Sequence, residues 1–171
     1  MSTPNTAYHG GTTPVTQPLC KLGRANLDFG PGFYVTHLRQ QAESWARRQA
    51  LERNLISVVS VYRLDTDTLH SRYRCLVFES YDQSWLRFIV ASRNGQAPWQ
   101  GYDAVEGGVA DDRVVDTVNL YMLDLITPEL ALQRLAQHQP NNQLCILSQS
   151  AIDECLSFRS AYTVQQEGGQ K

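Results

Sequence analysis

The chain predicts an α+β fold. Short apolar or β-branched runs alternate irregularly with stretches of helical period, and cap and turn residues punctuate the helices. Neighbouring runs are not joined by the ~30-residue βαβ units that would build a doubly wound parallel sheet.

Taken in order, Ala7-Tyr-His9 is a short strand candidate, followed by a Gly/Pro/Thr-rich connection to Pro31. Gly32-Phe-Tyr-Val-Thr36 reads as a strand, with Thr36 placed to cap a helix from about His37 to Arg53. Leu38, Ala42, Trp45, Ala46 and Gln49/Ala50 recur there at three-and-four spacing, so Trp45 reads as core. Arg39, Glu43, Arg47 and Arg48, with Arg53, read as a solvated helix face. Ile56 to Tyr62 is a β-branched strand ending at the turn Asp65-Thr-Asp67. Arg74 to Phe78 is a further short strand, and Ser84 to Val90 reads as a buried helix, with a strand as the alternative, broken by the turn at Arg93-Asn-Gly. Tyr102 to Gly107 is a strand candidate, followed by a helix from about Arg113 to Leu125. Thr127-Pro128 opens the next helix with a cap and a first-turn proline, and this helix ends near His138. Gln143 to Leu147 and Phe158 to Val164 are the last strands, flanking a short helix at Ser150–Leu156. Residues 6–164 form one domain in this reading, and 1–5 and 165–171 are polar, flexible tails.

Composition narrows the class. The 171 residues carry 15 Lys+Arg against 17 Asp+Glu, a formal charge of −2 that lacks the basic excess of polyanion binders. The hydrophobic share of 42% fits an ordinary globular chain, which buries about 70% of its unfolded surface without staples. No apolar run approaches the ~20 residues needed to cross a bilayer, and the polar start predicts no secretory signal. Cys20, Cys75, Cys145 and Cys155 lie far apart and read as reduced thiols of a cytoplasmic protein. The four histidines lack the i, i+4 spacing of a shared metal, so no metal is expected.

The phosphate-cradle and nucleophile-elbow motifs are missing. Gly30-Pro-Gly32 comes nearest to a glycine-rich loop, but it precedes a strand rather than a helix. Three other strings are informative together. Tyr8-His-Gly-Gly-Thr12 sets a histidine before two glycines, which would let a ligand approach the main chain closely. Asp28-Phe-Gly-Pro-Gly-Phe-Tyr-Val-Thr36 delivers a tyrosine onto a strand from a rigid turn, and Asn141-Asn-Gln143-Leu-Cys-Ile-Leu147 starts an apolar strand with an amide.

On these strings the chain resembles the ADP-ribosyltransferase superfamily, in its poly(ADP-ribose)-polymerase-like and diphtheria-toxin-like branch. That branch is built around a first-strand histidine, a tyrosine in a G-x-G-[FI]-Y string, and a glutamate or substitute opening a later strand. His9, Tyr34 and Gln143 stand at those places. With Gln41-Ala42, Trp45-Ala46 and Val109-Ala-Asp-Asp-Arg-Val114, the likeness to an uncharacterised bacterial family of this superfamily spans roughly residues 8–158.

The resemblance implies two small, mostly antiparallel sheets around a cleft for NAD+, with flanking helices. It implies that NAD+ is bound as substrate by His9, Gly10, Thr12, Phe29, Gly32 and Tyr34. His9 takes a ribose hydroxyl, the Gly10 backbone takes the carboxamide, and the Tyr34 ring stacks on nicotinamide. Gln143 replaces the polymerases' glutamate; its amide still orients a ribose hydroxyl but carries no charge, which disfavours chain elongation. Asp111 or Asp112 is the candidate source of the missing charge, with a helix cap as the plainer role. The implied activity is mono-ADP-ribosylation by a bacterial toxin, effector or modification enzyme, in the cytoplasm or delivered into another cell. NAD+ hydrolysis and an inactive nucleotide- or protein-binding fold are the alternatives. The implied partners are an acceptor macromolecule, protein before nucleic acid, and an antitoxin, immunity protein or chaperone; no membrane is involved.

Overall fold

The computed structural model describes residues 5–20, 27–109, 112–138 and 141–165. The β-branched run in the first half becomes β3 (Val58–Leu64), buried at five of its seven positions because it is the middle strand of a sheet. On either side it pairs antiparallel with β1 (Asn5–Gly11) and β7 (Leu156–Thr163), with an irregularity in the β7 register at Val61/Tyr62. A second, four-stranded sheet runs β2 (Phe33–Val35), β6 (Gln143–Ile146), β5 (Ala104–Gly107), β4 (Cys75–Val77). Only the β4–β5 pair in it is parallel.

Two cores follow from this layering. Phe33, Val35, Leu144 and Ile146 of the second sheet meet Tyr62 and Leu64 of the first, together with α2 (Thr66–Arg72) and α6 (Gln149–Cys155). Val105 and Cys145, on the opposite face of the second sheet, meet α3 (Gln83–Arg93), α4 (Asp112–Met122) and α5 (Pro128–Leu135). The outer face of the first sheet is covered by α1 (Arg39–Arg53), whose Ala42 and Ala46 pack on Val59. The fold is thus α+β, with two small sheets and, among the described residues, six helices.

Locally encoded stops behave as local chemistry dictates. Thr127 Oγ1 accepts the Leu130 N–H at 3.2 Å with Pro128 opening α5, and the Asp82 carboxylate accepts the Trp85 N–H at 2.9 Å to open α3. Four expectations need correction. Asp65-Thr-Asp67 is not a turn alone, because the Asp65 carboxylate accepts the Thr68 N–H at 3.0 Å and starts α2. The strand expected from Ile56 begins two residues later, and Ile56 is 64% exposed. Leu38 is also exposed rather than packed in the α1 stripe.

Thr36 does not occupy the cap position of α1, which falls to Leu38 with no side-chain cap. The Thr36 hydroxyl instead accepts from Leu38 N–H at 3.1 Å and donates to the Asn142 carbonyl at 2.7 Å. It therefore ties the α1 entry to the chain just before β6. Of the expected tails, 1–4 and 166–171 lie outside the described residues, whereas Asn5 belongs to β1.

Candidate functional site

Strand register decides which side chains converge. Tyr34 pairs with Cys145, and Gln143 lies two residues before Cys145 opposite Gly107. Side chains alternate along a strand, so Tyr34 and Gln143 share one face of the second sheet. A single bridge brings in the other sheet: Tyr8 and Thr36 exchange both backbone bonds, at 2.8 and 2.9 Å. That contact seats His9 beside Tyr34. His9 Nδ1 lies 2.7 Å from the Tyr34 carbonyl, and its ring stacks on Phe33 with centroids 4.5 Å apart.

The electrostatics of this pair are specific. Burial pulls the His9 pKa below its ordinary 6.5, partly offset by the bond to the Tyr34 backbone. The imidazole is therefore neutral near pH 7. A carbonyl only accepts, so Nδ1 carries the proton and Nε2 presents a lone pair. Tyr34 is half-buried, and its hydroxyl donates to Gly30 O at 2.7 Å and accepts from Phe29 N–H at 3.1 Å. Gly30 closes this turn in the left-handed region, at φ 102. Burial, with the neighbouring Cys145 and Asp28, raises the Tyr34 pKa well above the ordinary range. The hydroxyl is a structural tie, and the ring is what Tyr34 offers a ligand.

These groups line a cavity of about 590 Å³, inside the range of small-molecule sites. His9, Gly10, Gly32, Tyr34 and Gln143 lie on its wall. Gln143 is 5% exposed. Thr12 and Phe29 are not among the lining residues, and Phe29 is wholly buried against Phe78 and Phe88 in the second core. Its side chain holds the turn beneath Tyr34 instead of meeting a ligand. Asp111 lies outside the described residues, as does the side chain of Asp112, the first residue of α4.

Another part of the wall belongs to α1. Trp45, expected in the core, is half-buried and lines the cavity; Arg53 is exposed, as expected of a solvated face, and also borders the cavity. Gln49 and Glu52 complete that wall. A helical period shows that residues share a face, but it does not say whether that face meets a neighbour or a void. Gly10 is also reinterpreted. A Cβ there would stand 2.0 Å from Ala42 O, so the close approach it permits is that of the α1 backbone. The Gly10 carbonyl is engaged by Gln49 Nε2 at 3.2 Å. Of the two lining carboxylates, Asp28 is tied to Arg93 at 3.0 Å, and Glu52 is exposed at the rim.

The family described as a protein of unknown function, DUF3990, matches residues 6–158. The chain belongs to the DUF3990 family. No curated protein and no solved structure matches it. The DUF3990 match runs from β1 into β7 and includes every residue that lines the cavity. The cavity is thus built wholly within the DUF3990 segment. The four cysteines of this DUF3990 chain are free thiols, and burial pushes Cys145 up to about 12, which keeps it protonated and unreactive. No helix among the described residues is long and apolar enough to cross a membrane, and none of their His, Cys, Asp or Glu side chains gather in a metal-ligand group.

The neutral His9 has a measurable consequence. An unfolded histidine takes up its proton near pH 6.5, whereas folded His9 resists it, so stability is full above that pH and falls as the pH drops below it. Against His9→Gln, which lacks this step, the wild-type advantage in thermal midpoint should be larger at pH 8 than at pH 5. Equal gaps at the two values would show that His9 titrates alike in both states.

Proposed function

We propose that the chain is an NAD+-dependent mono-ADP-ribosyltransferase, working in the cytoplasm of its own or another cell as a toxin, effector or modification enzyme. The observation that carries the reading is the meeting of His9, Tyr34 and Gln143, from three strands and two sheets, on one cavity. These are the three residues whose strings resemble the superfamily.

The chemistry asked of them is modest. The nicotinamide–ribose bond breaks with its electron pair leaving on nicotinamide, and positive charge spreads over the sugar ring. A nucleophile of the acceptor then attacks C1′ and loses its proton. The Tyr34 ring supplies a flat face for nicotinamide. His9 Nε2, held as an acceptor, takes a ribose hydroxyl. The Gln143 amide oxygen takes the 2′-hydroxyl, so the sugar is oriented where charge develops. Its neutral amide does not itself compensate that charge. This favours one transfer per acceptor over chain growth, and it also favours a second reading, nucleotide binding with hydrolysis or without turnover.

Binding separates the roles of ring and hydroxyl at Tyr34. Tyr34→Ala should weaken NAD+ more than Tyr34→Phe does, since an aromatic contact adds ~0.5–1.5 kcal/mol beyond burial. Tyr34→Phe should instead lower the thermal midpoint, because Phe29 N–H and Gly30 O lose their partner at a cost of about 1–3 kcal/mol. His9→Ala should weaken NAD+ too. Calorimetric titration checks all three, and unchanged affinity in both alanine variants would exclude this cavity as the NAD+ site. Incubation with labelled NAD+ and lysate, scoring modified protein, modified nucleic acid and free ADP-ribose in parallel, then separates transfer from hydrolysis.

A further inference from the structure

The α1 wall of the cavity has two chemically different ends. Trp45, Gln49, Glu52 and Arg53 recur at intervals of four, seven and eight residues and so look the same way. At one end Trp45 and Val109 also border a second depression that includes Asn141, which places this end beside the start of β6 and Gln143. About 12 Å along the helix lies the other end, Arg53, which also borders the cavity.

The backbone at Arg53 is held by how α1 stops. Asn54 turns left-handed at φ 53, and both its N–H and that of Leu55 bond to Ala50 O. Such a stop holds the last helical turn in place. With His9 neutral, Arg53 is the one cation on the cavity wall among the described residues, and among them no side-chain bond or ion pair engages it. Arg93, by contrast, is spent on Asp28.

We propose that Arg53 is the anchor for a diphosphate in this cavity. A planar guanidinium with several donors matches two phosphate oxygens at once, and an unengaged one at a half-apolar wall has lost no bond in order to bind. Which molecule brings the diphosphate rests on the NAD+ reading above. The anion site itself does not.

The test is titration of the full chain with ADP, NAD+ and nicotinamide riboside, which has no phosphate, at low and moderate salt. Arg53→Gln should lower affinity for ADP and NAD+ by about 10- to 100-fold and flatten the salt dependence. It should leave nicotinamide riboside unchanged, while Arg53→Lys keeps part of the loss from appearing. Arg53 is exposed, so the thermal midpoint should hold. Arg87→Gln, on an exposed position of α3 away from the cavity, should behave as wild type. Equal ADP affinity in wild type and Arg53→Gln, no ADP binding by wild type, or an equal loss of nicotinamide riboside would each overturn the proposal. Wild type that binds ADP through Arg53 but neither binds nicotinamide riboside nor releases nicotinamide from NAD+ would keep the anion site and reject the NAD+ reading.

Discussion

Gln143→Ala is expected to lower nicotinamide release from NAD+ by about 10²-fold or more, because a lost transition-state hydrogen bond costs a few kcal/mol. The residue opens β6, is 5% exposed, and lies on the cavity wall on the same face as Tyr34. Its backbone pairing with Gly107 does not depend on the side chain, so the fold should survive truncation. The thermal midpoint should move only by the ~2–4 °C that accompanies ~1 kcal/mol in a chain of this size. Gln143→Glu should keep or raise hydrolysis. A carboxyl at so buried a position has its pKa raised, so this variant's rate should climb with pH above the ordinary glutamate range. If Asp111 or Asp112 supplies charge, its Asn variant should lose rate, with partial rescue by Gln143→Glu. A purely structural Gln143 predicts a different outcome: equal turnover in wild type and Gln143→Ala, clearly above buffer. Rates and thermal midpoints measured on the same preparations decide between them.

Gly10→Ala should destabilise the protein by about 3 kcal/mol or more, a fall in thermal midpoint of about 6–12 °C. The added Cβ would stand 2.0 Å from Ala42 O and 2.9 Å from Ala46 N. Both are backbone atoms of α1, so no rotamer change relieves the clash, and the helix must lift from β1. Lifting it uncovers Val59 and carries away the cavity wall, including the Gln49 bond to Gly10 O. Gly11→Ala makes a fair comparison, since its Cβ would find only ordinary contacts, at 3.6 Å and beyond. A Gly10→Ala midpoint within a degree or two of wild type would mean that α1 does not approach β1 this closely.

The candidate site was legible where its residues carry local strings. His9, Gly10, Gly32, Tyr34 and Gln143 reach the cavity. Phe29 belongs to the same string as Tyr34 yet turns into the second core, because a string records adjacency along the chain rather than direction. Trp45, expected in the core, departs for a related reason. Helical spacing places it on one α1 face, but whether a face is covered depends on what packs against it, and this one borders a cavity.

By itself the sequence determined what is settled within a few residues. The cap and proline at Thr127-Pro128, the apolar run of β6 and the α+β alternation all rest on contacts of short range. Only the tertiary structure decided the pairing of Tyr34 with Cys145, the Tyr8–Thr36 bridge between the sheets, and the hydroxyl of Thr36 spent on the Asn142 carbonyl. Those partners are separated by tens to more than a hundred residues of chain. Their meeting is fixed by register and by the burial of two whole sheets, and no local pattern carries that information.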